Sequence, residues 1–307
     1  MISVDSLMAC APEHVPLIDH RTFDSWDGVR QTRYWMHQRF HYAYPGPIRE
    51  LRQRLIIAPA DHYGDQQLRA FQLHVSAPGA STSSSTDAFG NRVVFVYAPR
   101  ASAEVTFEMR LVIERDLSVN HAPRLTRAEA ALFLAPSRLV PSDERTNTIA
   151  RTLAAQHAAP LALAEAINCW VHGALHYGAG ATHVGTTATE ALAIGKGLCQ
   201  DYAHVMIAVC HAAQIPARYV SGHMLGEGGS HAWVEVLLPT PNGASTVIAF
   251  DPTNHRRATP AYITIAVGRD YGDVSPTSGS FIAPYSGALT ASKRAGLTHI
   301  NFHSAAC

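Results

Sequence analysis

The hydrophobic period of this chain changes near residue 120, and that change limits what it can fold into. Before it, the clearest segment is "AEVTFEMRLVIE", in which Val105, Phe107, Met109, Leu111 and Ile113 alternate with Thr106, Glu108, Arg110 and Glu114. An apolar set at every second position describes a strand with one buried face. "RAFQLHVSA" and "NRVVFVYA" carry the same β-branched and aromatic bias, and the intervening "PGASTSSSTDAFGN" reads as a flexible polar loop ending in a turn at Gly90 and Asn91. Residues 29–115 are therefore expected to build a sandwich- or barrel-like antiparallel module. Beyond residue 120, "ERTNTIARTLAAQHAA" and "LALAEAINCWVHGALHY" have helical spacing, the second with Leu163, Ile167, Trp170 and Leu175 close to one face. "TATE", Thr187 to Glu190, matches a capping box ahead of a glycine turn. A helix led by Cys199 follows, then the strand-like segments "IPARYVSG", "HAWVEVLLP", "STVIAFDP" and "PAYITIAVG". Helices first and an antiparallel sheet after them is an α+β arrangement.

Composition narrows the function classes. The chain has 307 residues, 47% hydrophobic and 16% charged, which suits one large or two medium globular domains. Its 24 basic and 24 acidic residues cancel, so nucleic acid or an anionic membrane is not expected as the main partner. Five cysteines (Cys10, Cys169, Cys199, Cys210, Cys307) are too few and scattered for a disulfide scaffold, which points to a reducing compartment. With no basic start and no long apolar run at the N-terminus, a cytoplasmic location is expected. Histidine is abundant at 18 residues, but no HExxH, CxxC or paired knuckle appears, so no metal is expected.

In "GKGLCQDYAHVMIAVCHAAQ", Leu198, Tyr202, Val205, Met206 and Val209 form a buried helical stripe. Gly195 and Gly197 permit a tight approach, and first-turn amides face the Cys199 thiol, an environment that favours thiolate. The alternative is a small buried structural cysteine. A thiol nucleophile needs a base and the base needs an orienter. In "SHAWVEVLL", His231, Trp233 and Glu235 share the face opposite the apolar Ala232, Val234, Val236 and Leu238. In "STVIAFDPTN", Pro252 stops the strand and leaves Asp251 at its end. Antiparallel pairing of these two strands makes His231 and Asp251 neighbours. His204, His211 and His223 are competing bases, none paired as well with a strand-end carboxylate. Asp201, in the helix's first turn, is expected to complement the dipole.

These residues also carry a resemblance. "GKGLCQDYAHVMIAVCHAAQIPARYVSG", "SHAWVEVLLP", "AFDPTN" and "AVGRDYGDVSPTSGSF" resemble the transglutaminase-like superfamily, and specifically its bacterial two-domain members. "RFHYAYPGPIRELRQRLIIAP" with "DAFGNRVVFVY" is similar to their N-terminal β module, and "APSRLVPSD" to their connecting stretch. The resemblance implies an antiparallel β-sandwich-like module over 1–120 (1–28 unassigned), a papain-like transglutaminase-core α+β domain over 121–285, and a tail over 286–307. It implies Cys199 as nucleophile, His231 as base and Asp251 as orienter, working by acyl transfer on a peptide or glutamine amide through a thioester. Water as acceptor would make a protease or amidase, an amine a transglutaminase; a binding or scaffold protein with an idle triad is the third reading. No cofactor and no calcium control are expected. The tryptophan that animal relatives use at the oxyanion aligns with Gly173, which leaves Tyr177 or Trp170 to substitute. Gln200 and Asp201 belong to the family pattern. Arg269, Asp270 and Tyr271 either border the cleft or, for the first two, form a structural ion pair. "GHMLGEGGS", residues 222–230, is the expected lid.

Overall fold

The computed structural model describes residues 2–20, 25–118, 123–226, 228–241 and 244–302. Two compact units share the chain: Met1–His121, Leu225–Gly229 and Ser275–Cys307 form one, and Ala122–Met224 with Ser230–Val274 form the other. In chain order the elements begin with α1 (Val4–Ala9), β1 (Val29–Ala43), β2 (Ile48–Leu55), β3 (His62–Tyr63), β4 (Gln66–Val75), β5 (Ser81–Thr86), β6 (Arg92–Ala101) and β7 (Glu104–Asp116). Next come β8 (Arg124–Leu125), α2 (Arg127–Leu132), α3 (Glu144–Gln156), α4 (Pro160–Ala174), β9 (His176–Tyr177), α5 (Ala188–Ile194), β10 (Lys196–Gly197) and α6 (Cys199–Ala212). The chain continues through β11 (Ala217–Met224), β12 (His231–Pro239), β13 (Ser245–Asp251), β14 (Arg256–Arg257), β15 (Tyr262–Gly268), α7 (Tyr271–Val274), β16 (Thr277–Ile282) and β17 (Ala288–Phe302).

The first unit is a β-sandwich of two antiparallel sheets, ordered β17-β1-β7-β4-β3 and β16-β2-β6-β5. The alternation read in β7 is realised: Val105, Phe107, Met109, Leu111 and Ile113 are all buried. Tyr42 ties the sheets together, accepting from Gln53 Nε2 at 3.1 Å and donating to Thr277 Oγ1 at 2.8 Å. On the other face of β7, Val112 packs with Trp35, Leu7 and Val15, so α1 covers the outside of the larger sheet. The N-terminal segment left unassigned by sequence thus supplies a small second core.

Two expectations for this unit are corrected. Ser81–Thr86, read as flexible loop, is a strand paired in register with Thr86↔Arg92 through Ser81↔Tyr97. The Asp87 carboxylate closes its turn by accepting the Phe89 and Asn91 amides, each at 2.9 Å. Serine and threonine runs carry no apolar alternation, but an edge strand needs none. The stretch expected as a C-terminal tail is instead β17, which pairs with β1 from Val29↔Phe302 to Ala43↔Ala288. Leu225–Gly229, part of the expected lid, groups with the first unit, where Lys293 Nζ donates to the Gly229 carbonyl. Cys307 lies outside the described residues.

In the second unit, a sheet ordered β14-β13-β12-β11-β15 packs against α6, with α3, α4 and α5 also against that helix. The stripe predicted for α6 is an understatement, because every residue from Asp201 to Cys210 is buried. A helix buried on every face belongs in a core with neighbours on every side. The capping box at Thr187 and Glu190 is present, and Gly195 ends α5 in the left-handed region at φ 71. No helix among the described residues is long and apolar enough to cross a membrane.

Ending the chain at Gly287 strips β1 of one of its two partner strands along its whole length. The shortened protein is expected to aggregate or to lose its cooperative thermal transition, followed by circular dichroism and gel filtration. An unchanged Tm would show β17 to be dispensable.

Candidate active site

Cys199 is the first residue of α6 and is half-buried. Its approach is built from backbone. β9 and β10 form a short parallel ribbon, Lys196↔His176 and Gly197↔Tyr177, in which the Gly178 amide donates to the Gly197 carbonyl at 3.0 Å. The Asp201 carboxylate then closes the corner: Oδ2 accepts the Leu198 amide at 2.7 Å and the Thr182 hydroxyl at 2.7 Å. A Cβ on Gly197 would lie 2.6 Å from Asp201, so only glycine fits there. Asp201 therefore does more than complement the helix dipole; it fixes the residue before the thiol.

The strand pairing makes the second half of the site. β12 and β13 run antiparallel with Val234↔Phe250 and Glu235↔Ala249, which brings the start of β12 to the end of β13. His231 Nε2 donates to Asp251 Oδ2 at 2.7 Å, with His231 8% exposed and Asp251 fully buried. Asp251 accepts four further hydrogen bonds. Its Oδ1 takes the Thr253 amide at 2.9 Å and the Asn254 amide at 3.1 Å, and its Oδ2 takes Asn254 Nδ2 at 2.7 Å and the Tyr262 hydroxyl at 2.6 Å. A carboxylate with this many donors is held ionised. Although burial pushes the Asp251 pKa up, the His231 hydrogen bond and charge, with Asn254 and Tyr262, leave it below the ordinary value.

An acceptor-only carboxylate on Nε2 requires that nitrogen to carry hydrogen, which leaves Nδ1 as the nitrogen that can serve the Cys199 thiol. Burial alone would lower the His231 pKa; the hydrogen bonds and charges of Asp251 and Cys199 outweigh it and raise it to about 9. Trp233 lies beside this imidazole, ring centroids 6.3 Å apart, and meets Tyr262 edge-on at 5.3 Å. Gly222 makes room for it, since a Cβ there would fall 2.4 Å from the Trp233 ring.

The competing histidines are occupied elsewhere. His204 is fully buried and accepts the Tyr271 amide on Nε2 at 3.1 Å; burial, against the pull of Asp270, drops its pKa to about 4. His211 contacts the Ala217 carbonyl at 3.2 Å, and burial lowers it too. His223 lies on β11. Of the oxyanion and substrate candidates, Tyr177 stands exposed on the ribbon beside Gly197, its ring 6.4 Å from that of Tyr202. Gln200 is tied through Nε2 to the Val184 carbonyl at 3.3 Å. Tyr271 packs its edge on Tyr219 at 6.5 Å. Trp170 is half-buried on α4, and no hydrogen bond or ring contact among the described residues joins it to the cluster. Arg269 pairs with Asp273 at 3.0 Å and not with Asp270, whose carboxylate instead accepts the Leu139 and Gly272 amides.

Sequence reasoning missed Tyr262 and Asn254. Asn254 was within reach, because an aspartate followed by Pro-Thr-Asn commonly accepts the amides two and three residues on. Tyr262 enters through β15, which pairs with β11 at Tyr262↔Met224, and nothing local marks it. Its hydroxyl also accepts from Arg256 Nε at 2.8 Å.

Fold and site together describe a thiol-dependent enzyme fold of the papain-like kind. Residues 147–252 match the transglutaminase-like superfamily core, and residues 34–114 match the bacterial transglutaminase-like N-terminal region. The chain therefore carries a transglutaminase-like core preceded by a bacterial transglutaminase-like N-terminal region. An uncharacterized Mycobacterium leprae protein is 34% identical over 158 residues, 48% of this chain and 54% of its own length. An uncharacterized Mycobacterium tuberculosis protein is 36% identical over 114 residues, 34% of this chain and 36% of its own. The chain thus matches about half or less of these relatives. A solved Cytophaga hutchinsonii structure, described as a "Putative Cysteine Protease", superposes with TM-score 0.73 at 20% identity, covering 89% of this chain and 92% of that one.

Asp251→Asn tests the geometry. An amide at the Oδ2 position would present hydrogens to Tyr262 and His231, leaving buried donors unpaired. The expected cost is about 1–3 kcal/mol in urea unfolding, together with a sharp loss of Cys199 reactivity towards iodoacetamide.

Proposed function

We propose that Cys199, His231 and Asp251 act as a catalytic triad for acyl transfer from an amide, and the observation that carries this reading is a nearly buried imidazole hydrogen-bonded to a fully buried carboxylate, with the Cys199 thiol near enough to help raise its pKa. The Cys199 sulfur attacks the carbonyl carbon of a peptide or glutamine amide. His231 Nδ1 gives its proton to the departing amine as the C–N bond breaks, leaving a thioester on Cys199. Water or an amine then attacks the thioester, His231 takes the acceptor's proton, and the thiol side chain is released. Asp251 keeps the imidazole in one tautomer throughout. The Cys199 backbone amide, at the unsatisfied start of α6, is the first donor to the developing oxyanion. Tyr177, on the ribbon flanking Gly197, is the candidate for the second. An idle scaffold has no need of a carboxylate saturated by five donors behind a histidine that faces a thiol. The chemistry itself draws on no cofactor.

Transfer to an amine is the reading the superfamily favours, and the Cytophaga hutchinsonii description points to water instead. One experiment separates them: incubation with a glutamine-containing peptide library and a labelled primary amine, followed by mass spectrometry. Amine adducts are expected; cleaved peptides without adducts would make the protein a peptidase or amidase.

Cys199 is expected to alkylate at neutral pH at least about tenfold faster than Cys10, Cys169 or Cys210, with His231→Ala abolishing the difference. Equal rates would remove the nucleophile. Because acylation uses the His231 proton and its pKa is raised to about 9, kcat/KM should hold across neutrality and fall as pH rises through about 9. A fall centred near the ordinary histidine value would show that the Asp251 and Cys199 contacts do not persist in solution.

A further inference from the structure

The outer face of the smaller sheet carries a pattern that acyl transfer does not use. Phe95 and Tyr97 on β6 are 45% and 38% exposed, whereas their neighbours Val94, Val96 and Ala98 are buried. The strand register sets each ring in a row: Ser278, Arg54, Phe95 and Ser83 across one, Ser280, Arg52, Tyr97 and Ser81 across the next. The Arg52 guanidinium lies over the Tyr97 ring, 5.6 Å from its centroid. Glu50 accepts from the Tyr97 hydroxyl at 3.0 Å and from Arg52 at 3.3 Å, and holds a left-handed backbone at φ 50. A non-glycine residue in that region costs energy and tends to mark a functional surface. Arg52, Arg54, Ser81, Ser83, Phe95 and Tyr97 border a groove of about 780 Å³.

Beside the groove, β5 is an edge strand. All six of its residues are exposed, and it pairs with β6 alone among the described residues. "STSSST" has no lysine, proline or bulge to block a further strand, the devices by which edges are ordinarily protected. Ser81 and Ser83 are small, so long side chains from an added strand pass over them to the rings and guanidinium groups of the next strands. Alternate residues of an extended peptide lie about 6.4–6.8 Å apart, the repeat that also separates Phe95 and Tyr97 along their strand. Arg52 pairs with Glu50 and Arg54 with Asp87, while Arg49 and Arg100 stand exposed opposite each other in the same strand pair. The surplus is positive.

We propose that this face binds an extended acidic peptide, added as a strand beside β5 with its carboxylates directed over Ser81 and Ser83 to Arg52 and Arg54. The mode is strand addition: main-chain hydrogen bonds give affinity, and alternate side chains give selectivity. The site stands whether or not Cys199 is catalytic.

The test is fluorescence anisotropy on the full chain carrying Cys199→Ala, which removes turnover. The probes are a fluorescein-labelled peptide of alternating Glu and Val, its Lys–Val counterpart, and the Glu–Val peptide with alternate amides N-methylated. The Glu–Val peptide should saturate, and the other two should bind at least about tenfold more weakly. The double variant Arg52→Ser/Tyr97→Ser should lose at least about tenfold for Glu–Val with an unchanged circular dichroism spectrum. Should that variant fail to fold, Ser83→Glu, an exposed change that puts a carboxylate into the groove, must weaken binding likewise. Equal binding of Lys–Val, indifference to N-methylation or to the substitutions, or no saturation would overturn the proposal. So would tighter binding of oligothymidylate or polygalacturonate, which would reassign the surface to single-stranded nucleic acid or an anionic glycan.

Discussion

The buried carboxylate of Asp251 is the constraint on which the second unit is arranged. An ionised group with no exposure is costly unless its oxygens are satisfied. Here satisfaction comes from three directions. The Asp-Pro-Thr-Asn turn folds Thr253 and Asn254 back onto Oδ1 and Oδ2, β15 delivers the Tyr262 hydroxyl, and β12 delivers His231. Only the last has chemical consequences, but it depends on the other two. Without them the carboxylate would be under-bonded, would take a proton more readily, and would lose its hold on the imidazole tautomer.

The thiol side is built on the opposite principle, from backbone and exclusion. α6 is buried all round, so its axis is fixed by α3, α4, α5 and the sheet, leaving its first residue half-buried at the edge of the packed region. Asp201 accepts the Leu198 amide and so takes one first-turn donor out of use. In the proposed mechanism the Cys199 amide then serves the substrate oxygen. Gly197 is required because Asp201 occupies the space a side chain would need. The motif "GKGLCQD" is thus one device: two glycines for the approach, an acid to lock it, and the thiol at the corner.

How much of this could be read from the sequence depends on the range of each interaction. The order Cys199, His231, Asp251 was legible because each sits at the end of an element with a strong local pattern, and antiparallel pairing does the rest. The capping box at Thr187 and Glu190 and the alternation in β7 are likewise local. β17 was not legible: it joins β1 across most of the chain, and its exposed residues Ala288–Ala291 carry no alternation. β5 was lost for the same reason, being serine and threonine throughout. Tyr262 was invisible because two strands, β12 and β11, separate it from its partner in sheet order. Asp201 was seen but given the weaker role, since a first-turn acid on a helix looks the same whether it faces solvent or a loop.

His204 and His231 show how far environment overrides residue type. Both are buried, and burial by itself drives an imidazole towards its neutral form. His204, on the inside of α6, meets a backbone amide that needs an acceptor, so neutrality serves it and its pKa falls to about 4. His231 meets a carboxylate already held by its own turn and by Tyr262, and Asp251 together with the Cys199 thiol raises its pKa to about 9. The difference is not how deeply each ring is buried but what stands at its two nitrogens. A buried histidine keeps its proton at neutral pH only when a fixed negative charge offsets its desolvation, and in this chain the turn after β13 fixes that charge.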